Sequence, residues 1–242
     1  MADVYAVVVA AGRSTRMGAG VDKQLLPLAG RPVLWHTLRV FEEAAVVAGY
    51  VLVVPAGRED DYSRLVPGEW RFGKLAAVVA GGGQRQESVW RGLMAVPPDT
   101  AVVLVHDGAR PLVAAADVKA VVNEARQWGA ATLAVPVKDT VKEADQRGFV
   151  VRTPPREALW LTQTPQGFAY ALLMQAHREA REKGFSATDD AALVEALGRP
   201  VRLVQGSYRN IKITTPGDLA VAEALFHGQA AAGREAERGG GF

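Results

Sequence analysis

The segment "AAGRSTRMG" at residues 10–18 places two arginines and two glycines directly after a run of small and β-branched apolar residues. Five residues separate its glycines and no lysine follows the second, so the segment is not a Walker A loop. Ser14 occupies the position at which a dinucleotide-binding turn has its second glycine. The remaining chemistry, with Lys23 shortly after, suits a polyphosphate held by backbone N–H groups and cations. The alternative is a basic surface loop.

A second segment, "GGGQRQES" at residues 81–88, also follows an apolar run. Glycines there allow the backbone to approach a planar base or a sugar, because no side chain intervenes. Arg85 and Ser88, near the start of the next helix, could bind phosphate or ribose. Taken alone, the segment could also be a flexible glycine turn.

A third segment, "HDGARP", follows an almost fully apolar strand and contains Asp107. A carboxylate at that position needs a cation, and Mg²⁺ is held in many sites by one or two carboxylates together with substrate phosphates. Alternatively, Asp107 caps a turn and pairs with Arg110. His106 is interpreted as a satisfied histidine at a strand end.

Covalent catalysis is disfavoured by what the sequence lacks. There is no cysteine, and the four histidines show no metal-ligand spacing. Ser14 and Ser88 have no adjacent base in the sequence. Cations and one carboxylate suit a reaction whose barrier is mainly charge and alignment, as in phosphoryl and nucleotidyl transfer.

The elements that position these residues alternate along the chain. Nearly continuous apolar runs predict strands covered on both faces, at residues 4–10, 50–54, 74–80, 101–106 and 131–137. Amphipathic stretches predict helices between them, at residues 32–45, 87–95 and 117–128. We therefore expect an α/β fold, Rossmann-like, with a mostly parallel sheet, helices on both faces, and ligands at the carboxyl ends of the strands.

The alternation stops after residue 136, where two short polar-alternating runs joined by "DQRG" predict a β-hairpin arm at about residues 138–156. Further along, Thr188 is placed to cap a helix, and Pro216 lies near the start of the last one. We expect one domain over residues 1–226. The segment 227–242 is low in complexity, ends in "GGGF" and predicts a disordered tail.

Composition limits the partners. The formal net charge is only +2, which gives no general electrostatic reason for binding nucleic acid or an anionic membrane. An acidic residue near the amino terminus and a short apolar run argue against an export signal or a membrane span, so we expect a cytoplasmic protein.

Seven segments in order resemble the 2-C-methyl-D-erythritol 4-phosphate cytidylyltransferase family of the non-mevalonate isoprenoid pathway. They are "AAGRSTRMG…DKQLLPLAGRPVL", "GGGQRQESVWRGL", "VHDGARP", "KDTVK", "LTQTPQGF", "ATDDAALVE" and "NIKITTPGDL". The resemblance implies a nucleotidyltransferase fold and a reaction of CTP with a polyol phosphate, dependent on Mg²⁺. The products of that reaction are 4-diphosphocytidyl-2-C-methyl-D-erythritol and pyrophosphate. It also implies a homodimer formed through the hairpin arm.

Residue by residue, the resemblance implies that Arg16 and Lys23 stabilise charge on the CTP phosphates and that Asp107 is the Mg²⁺ ligand. The implied nucleotide-binding residues are Ala10, Ala11, Gly12, Gly81, Gly82, Arg85 and Ser88. The implied binding residues for the polyol phosphate are Arg156 and Lys212, supported by Arg110, Thr140, Thr164 and Thr188.

Two positions depart from the family's pattern. Asp22 stands where a proline precedes the Lys-Gln pair, and Arg209 stands where some members have an acidic residue. Three alternatives remain open: a ribitol- or ribulose-5-phosphate cytidylyltransferase, a sugar-1-phosphate nucleotidyltransferase, and a non-catalytic nucleotide-binding regulator.

Overall fold

A computed structural model describes residues 3–12 and 22–239. The strands of its main sheet are β1 (Val4–Val9), β4 (Gly49–Val54), β5 (Leu75–Ala80), β6 (Val102–Asp107), β7 (Ala130–Pro136), β10 (Trp160–Ala169) and β11 (Arg202–Gln205). Their order across the sheet is β11-β7-β10-β6-β1-β4-β5. Every pairing is parallel except those of β10, which is antiparallel to β6 and β7. The predicted α/β class with a mostly parallel sheet is confirmed.

Helices cover both faces of this sheet. They are α1 (Val33–Glu43), α2 (Glu59–Arg64) with a further turn at Leu65–Glu69, α3 (Arg85–Met94), α4 (Ala115–Trp128), α5 (Tyr170–Glu182), α6 (Asp190–Ala196) and α7 (Pro216–Gly239). Strand β1 shows why both faces need cover: Ala6 and Val8 pack into one core, and Val7 packs into the other. A strand that is apolar on both faces is stable only between two layers of helices.

Strand β10 was not predicted as a strand, and it shapes the site. Because it runs against its neighbours, its first half lies at the carboxyl ends of β6 and β7, where Trp160 pairs with Pro136. The register shifts between Thr162 and Gln166. The irregular part of β10 therefore brings polar side chains to the edge where parallel α/β sheets bind ligands.

Outside the main sheet, β2 (Pro27–Leu28) pairs with β3 (Arg31–Pro32), and β8 (Glu143–Ala144) pairs with β9 (Val150–Arg152). The second pair is the predicted hairpin arm. Helix α7 continues to Gly239. The disordered tail predicted for residues 227–242 stays a prediction. No helix in the described ranges is long and apolar enough to cross a lipid bilayer.

Candidate active site

The centre of the site is Asp107, the last residue of β6, whose carboxylate is surrounded by three cations. Its Oδ2 lies 2.7 Å from Nζ of Lys212 and 3.9 Å from Nε of Arg110. Its Oδ1 lies 3.3 Å from Nε of Arg85. The residue is only 7% exposed. Charges that are far apart in the sequence are thus concentrated at the end of one strand.

This concentration of cations keeps Asp107 ionised. Burial alone would raise its pKa, but the charges of Arg85, Lys212 and Arg110 outweigh burial and hold the pKa well below its usual range. Arg85 shows the converse: burial would lower its pKa, and Asp190 and Asp107 raise it instead. The site therefore keeps a fixed charge pattern at neutral pH.

Backbone contacts hold the Lys212 loop against β6. The N–H of Ile213 donates to the carbonyl of Ala109 at 2.8 Å, and Nη1 of Arg110 donates to the carbonyl of Asn210 at 2.7 Å. These two contacts tie the loop that precedes α7 to the turn that follows β6. The two contacts flank Lys212 in the sequence, so they hold the loop in the position from which Lys212 reaches Asp107.

His106 serves the structure of the strand end. Its Nδ1 lies 3.1 Å from Oγ1 of Thr164, and its Nε2 lies 3.3 Å from the carbonyl oxygen of Arg110. Burial lowers its pKa to about 4, so the ring is neutral at pH 7. This agrees with its interpretation as a satisfied strand-end histidine.

A cavity of about 320 Å³, the first cavity, opens beside this cluster. Its described lining residues are Val9, Ala11, Gly12, Lys23, Gln24, Gly82, Gly83, Gln84, Arg85, Ser88, Asp107, Ala109, Lys212 and Thr214. Nζ of Lys23 donates to the carbonyl of Ile213 at 3.3 Å, so Lys23 lies beside the Lys212 loop. With Arg85 and Lys212, it is the third cation in the described lining of this cavity. A cavity lined by three cations and a glycine turn suits a polyphosphate.

The glycines of the 81–83 turn allow close approach of backbone. A Cβ on Gly81 would lie 2.2 Å from Cβ of Ala11, and one on Gly82 would lie 2.2 Å from the side chain of Glu87. The hydroxyl of Ser88 accepts from the N–H of Gly82 and donates to the carbonyl of Gln84, both at 3.0 Å. The turn is thus a fixed wall of the first cavity.

A second cavity of about 280 Å³ adjoins the first. Its lining residues are Arg85, Asp107, Arg110, Thr162, Gln163, Thr164, Gln166, Thr188, Asp189 and Lys212. Arg85, Asp107 and Lys212 line both cavities. The ion-paired cluster is therefore the boundary between two adjoining spaces.

Most of the predicted site residues come together here. The first cavity contains Ala11, Gly12, Lys23, Gly82, Arg85, Ser88, Asp107 and Lys212, and the second contains Arg110, Thr164 and Thr188. Ala10 directly follows β1 and its N–H donates to the carbonyl of Val53 at 2.7 Å, and a Cβ added to Gly81 would lie 2.2 Å from Cβ of Ala11. Arg16 lies outside the described residues.

Two predicted residues lie apart from both cavities. Thr140 is exposed in the segment leading into the arm. Arg156 is exposed at the base of the arm, where its Nη1 donates to the carbonyl of Lys138 at 2.9 Å. Neither residue is among the described lining residues of the first or the second cavity.

Thr188 was expected to cap a helix, and that expectation is wrong. Asp189 caps α6 instead, accepting from the N–H of Ala192 at 3.0 Å. A carboxylate is at least as good an N-cap as a threonine hydroxyl, and it interacts favourably with the helix dipole. Thr188 is left exposed at the rim of the second cavity.

The two residues that depart from the family's pattern both make structural contacts. Asp22 accepts from the N–H of Gln24 at 3.1 Å and from the hydroxyl of Tyr62 at 3.0 Å, so it anchors the turn that contains Lys23 and Gln24. Nη2 of Arg209 donates to the carbonyl of Leu225 and ties the loop to α7. Arg209 therefore supports the Lys212 loop without supplying a carboxylate.

Sequence reasoning missed Gln24, Asp190 and His177. Gln24 lines the first cavity, and its buried Oε1 has no hydrogen-bond partner among the described residues. Asp190 lines neither cavity, but its Oδ2 accepts from Nη1 of Arg85 at 2.7 Å. The sequence offered a signal for two of them. Asp190 lies in the "ATDDAALVE" segment, and Gln24 directly follows Lys23.

The donor set around Asp107 fits a divalent cation bound with a polyphosphate. No group of three or more His, Cys, Asp or Glu side chains with metal-binding spacing occurs in the part of the chain described. Asp107 is the one carboxylate among the described lining residues of the first cavity, and the orphaned Oε1 of Gln24 is a neutral oxygen in the same wall. One carboxylate, neutral oxygens and substrate phosphates are the ligands Mg²⁺ uses in many phosphate sites.

Comparisons with known proteins agree with this geometry. A family profile described as IspD, 2-C-methyl-D-erythritol 4-phosphate cytidylyltransferase, matches residues 4–228. An enzyme of that name from Pelotomaculum thermopropionicum is 58% identical over 99% of this chain and all of its own length. One from Desulforamulus reducens is 54% identical over 93% of this chain and 97% of its own.

Solved structures agree as well. The crystal structure of 4-diphosphocytidyl-2C-methyl-D-erythritol synthase from Anaerococcus prevotii superposes with a TM-score of 0.84 at 32% identity, covering 93% of this chain and 96% of that one. The 2-C-methyl-D-erythritol 4-phosphate cytidylyltransferase of Thermus thermophilus gives 0.76 at 42% identity, covering 92% and 98%. These matches confirm the family and the enzyme class predicted from the sequence, and the chain belongs to the 2-C-methyl-D-erythritol 4-phosphate cytidylyltransferase family.

Proposed function

We propose that the two adjoining cavities divide the family's reaction between them. The first cavity binds CTP, the second binds 2-C-methyl-D-erythritol 4-phosphate, and the two substrates meet at their shared boundary. The observation that carries this assignment is that Arg85, Asp107 and Lys212 line both cavities. A phosphate oxygen in the second cavity is thereby brought beside a triphosphate in the first.

The chemistry is an in-line displacement. An oxygen of the polyol phosphate forms a bond to the α-phosphorus of CTP, and the bond from that phosphorus to the bridging oxygen of the leaving pyrophosphate breaks. The chain's cations have two tasks, since they hold two mutually repelling anions together and neutralise the charge that grows on the leaving oxygen. We assign the second task to Lys23 and to Arg16, following the resemblance of their motif.

The glycine turn accounts for binding of the nucleoside. Because Gly81 and Gly82 carry no side chain, the backbone from residue 81 to 83 and that of Ala10, Ala11 and Gly12 can approach a flat base closely. Ser88 braces the turn through its two hydrogen bonds. A rigid backbone wall suits cytosine and leaves less room for a larger base.

We further propose that Asp107 holds Mg²⁺ together with the CTP phosphates, with Oε1 of Gln24 as a second oxygen in the same wall. When bound, the ion would supply positive charge to the phosphates. The carboxylate is already ionised, because its pKa is held low by its three cationic neighbours. Lys212 and Arg85, which pair with Asp107 at the boundary, would contact the substrate oxygens.

The polyol phosphate has a polar pocket in the second cavity. Arg110 and Lys212 supply positive charge, and Thr164 and Thr188 lie in the same lining. Thr140 and Arg156 lie on or near the arm, away from this cavity. We propose that they reach the site of a second copy of the chain, so that the active enzyme is a homodimer joined through the arm. The exposed apolar residues of the arm support this: Phe149, Val150 and Val151 are each about 60% exposed.

The assignment is tested by pyrophosphate release from CTP and Mg²⁺, run in parallel with 2-C-methyl-D-erythritol 4-phosphate and with D-ribitol 5-phosphate. We expect release with the first acceptor. Release with ribitol 5-phosphate alone would overturn the acceptor, and saturable CTP binding without release would indicate a nucleotide-binding regulator.

A further inference from the structure

A buried chain of polar contacts links helix α5 to the boundary between the cavities. Nε2 of His177 lies 3.0 Å from Oδ1 of Asp190, and Oδ2 of Asp190 accepts from Nη1 of Arg85 at 2.7 Å. Nε of Arg85 in turn contacts Oδ1 of Asp107 at 3.3 Å. One guanidinium is therefore held at two of its nitrogens by two different carboxylates.

Neither His177 nor Asp190 lines the first or the second cavity, and their side chains are 0% and 1% exposed. They cannot contact substrate in this arrangement. A buried carboxylate is stable only if it is paired and hydrogen-bonded, and Asp190 has both forms of support. Its backbone N–H also donates to Oε1 of Gln166 at 3.1 Å, which fixes the start of α6 to β10.

The two anchors of Arg85 differ in what happens when substrates enter. Asp107 lies at the boundary, where incoming phosphates compete with its carboxylate for Arg85 and the other cations. Asp190 lies behind the boundary and is not among the described lining residues of either cavity. We therefore expect the Asp190 contact to persist during binding, with the carboxylate of Asp190 held in orientation by His177.

We propose that His177 and Asp190 are positioning residues, which hold the guanidinium of Arg85 in place for the triphosphate of CTP. This inference rests on the proposed binding of nucleotide by Arg85. It predicts that loss of either contact weakens CTP binding only while Arg85 is present. A merely structural role would weaken binding whether or not Arg85 is present.

The test is the Kd for CTP, measured by calorimetry for His177→Phe and Asp190→Asn in the parent protein and in an Arg85→Met background. We expect each substitution to raise the Kd about tenfold in the parent, the size of one lost hydrogen bond to a charged group, and less than twofold in Arg85→Met. His177→Gln, which restores an N–H donor, should recover part of the loss. Leu173→Ala, at a buried core position on the same helix, should lower the thermal midpoint and leave the Kd unchanged.

Two results would overturn the proposal: an unchanged Kd in the parent, or an equal increase in both backgrounds. If His177→Phe does not fold, Asp190→Asn, which keeps the shape of the side chain, decides between the same outcomes. Because the readout is binding, a parent protein that binds CTP but releases no pyrophosphate would contradict the proposed function and leave this test intact.

Discussion

Nζ of Lys212 lies 2.7 Å from Oδ2 of Asp107, so the lysine that borders both cavities is paired with the carboxylate that borders both. The pair joins the loop before α7 to the end of β6. Because of this position, a substitution of Lys212 should affect the kinetics of both substrates. A substitution of a residue that lines only one cavity should affect the substrate bound there.

We therefore expect Lys212→Met to lower kcat/KM about 10²-fold for CTP and for the polyol phosphate alike, since one preorganised charge is removed from their meeting point. Thr188→Val, at the rim of the second cavity, should raise only the KM for the polyol phosphate. Steady-state kinetics with each substrate varied in turn distinguish the two patterns. An effect of Lys212→Met confined to one substrate would remove it from the boundary.

The carboxylate of Asp107 should have opposite effects on binding and on turnover. In Asp107→Asn, the charges of Lys212, Arg85 and Arg110 lose their counter-charge, so CTP binding without metal should be as tight as in the parent or tighter. Turnover with Mg²⁺ should fall at least about 10²-fold. Calorimetry in EDTA, followed by the pyrophosphate assay, measures both. Weaker binding without metal would argue that Asp107 mainly holds the cations in place.

The glycine turn should distinguish two neighbouring positions. A Cβ on Gly81 meets Cβ of Ala11 at 2.2 Å and the carbonyl oxygen of Val54 at 3.3 Å, so the segment after β1 must shift away from the end of β4 to accept it. A Cβ on Gly82 meets the side chain of Glu87, which lies on the outer face of α3 and can move. Gly81→Ala should cost about 1–3 kcal/mol of unfolding free energy and weaken CTP binding, and Gly82→Ala should cost less. Urea titration of both variants checks the order.

Lys23 should act mainly in the chemical step. Charge on the bridging oxygen of the leaving pyrophosphate grows in the transition state, so Lys23→Ala should lower kcat about 10²-fold or more with a smaller change in the Kd for CTP. Single-turnover rates at saturating substrate measure this separately from binding. A change found only in KM would assign Lys23 to ground-state binding.

The sequence predicts the strand ends well because a strand buried on both faces has a continuous apolar pattern and the polar residue after it marks its end. Asp107 and the glycine turn were found in this way. Strand β10 was not found in this way, because its polar residues Gln163, Thr164 and Gln166 are buried and form hydrogen bonds with other parts of the protein. A polar run that is satisfied inside the protein has the same sequence pattern as a solvated loop.

The contacts behind the boundary were also out of reach of pattern analysis. His177 and Asp190 meet because α5 packs against α6, and nothing in their spacing of 13 residues reveals that packing. Similarly, only the three-dimensional arrangement shows that Asp22 meets Tyr62 from 40 residues away. Side chains that act through another side chain need the tertiary structure to be recognised.

The stability of the fold should depend on pH through the buried ring of His106. His106 has a pKa of about 4 in the folded protein because it is buried, compared with about 6.5 when it is unfolded. Between these values the unfolded chain binds a proton that the folded chain excludes. The free energy of unfolding is therefore fully retained above pH 6.5 and falls as the pH is lowered, by about 2 kcal/mol between pH 7 and pH 5 from this residue. Burial also lowers the pKa of His36, so part of the pH dependence remains without His106.

Urea denaturation of the metal-free protein at pH 7 and pH 5 measures this loss. In His106→Asn, which has no ring to protonate, the difference between the two pH values should shrink by about 2 kcal/mol. His227→Asn is the matched control, because His227 is exposed and its replacement should leave the difference close to that of the parent. The same loss of stability in His106→Asn as in the parent would show that other groups, and not the strand-end histidine, set the acid sensitivity of the fold.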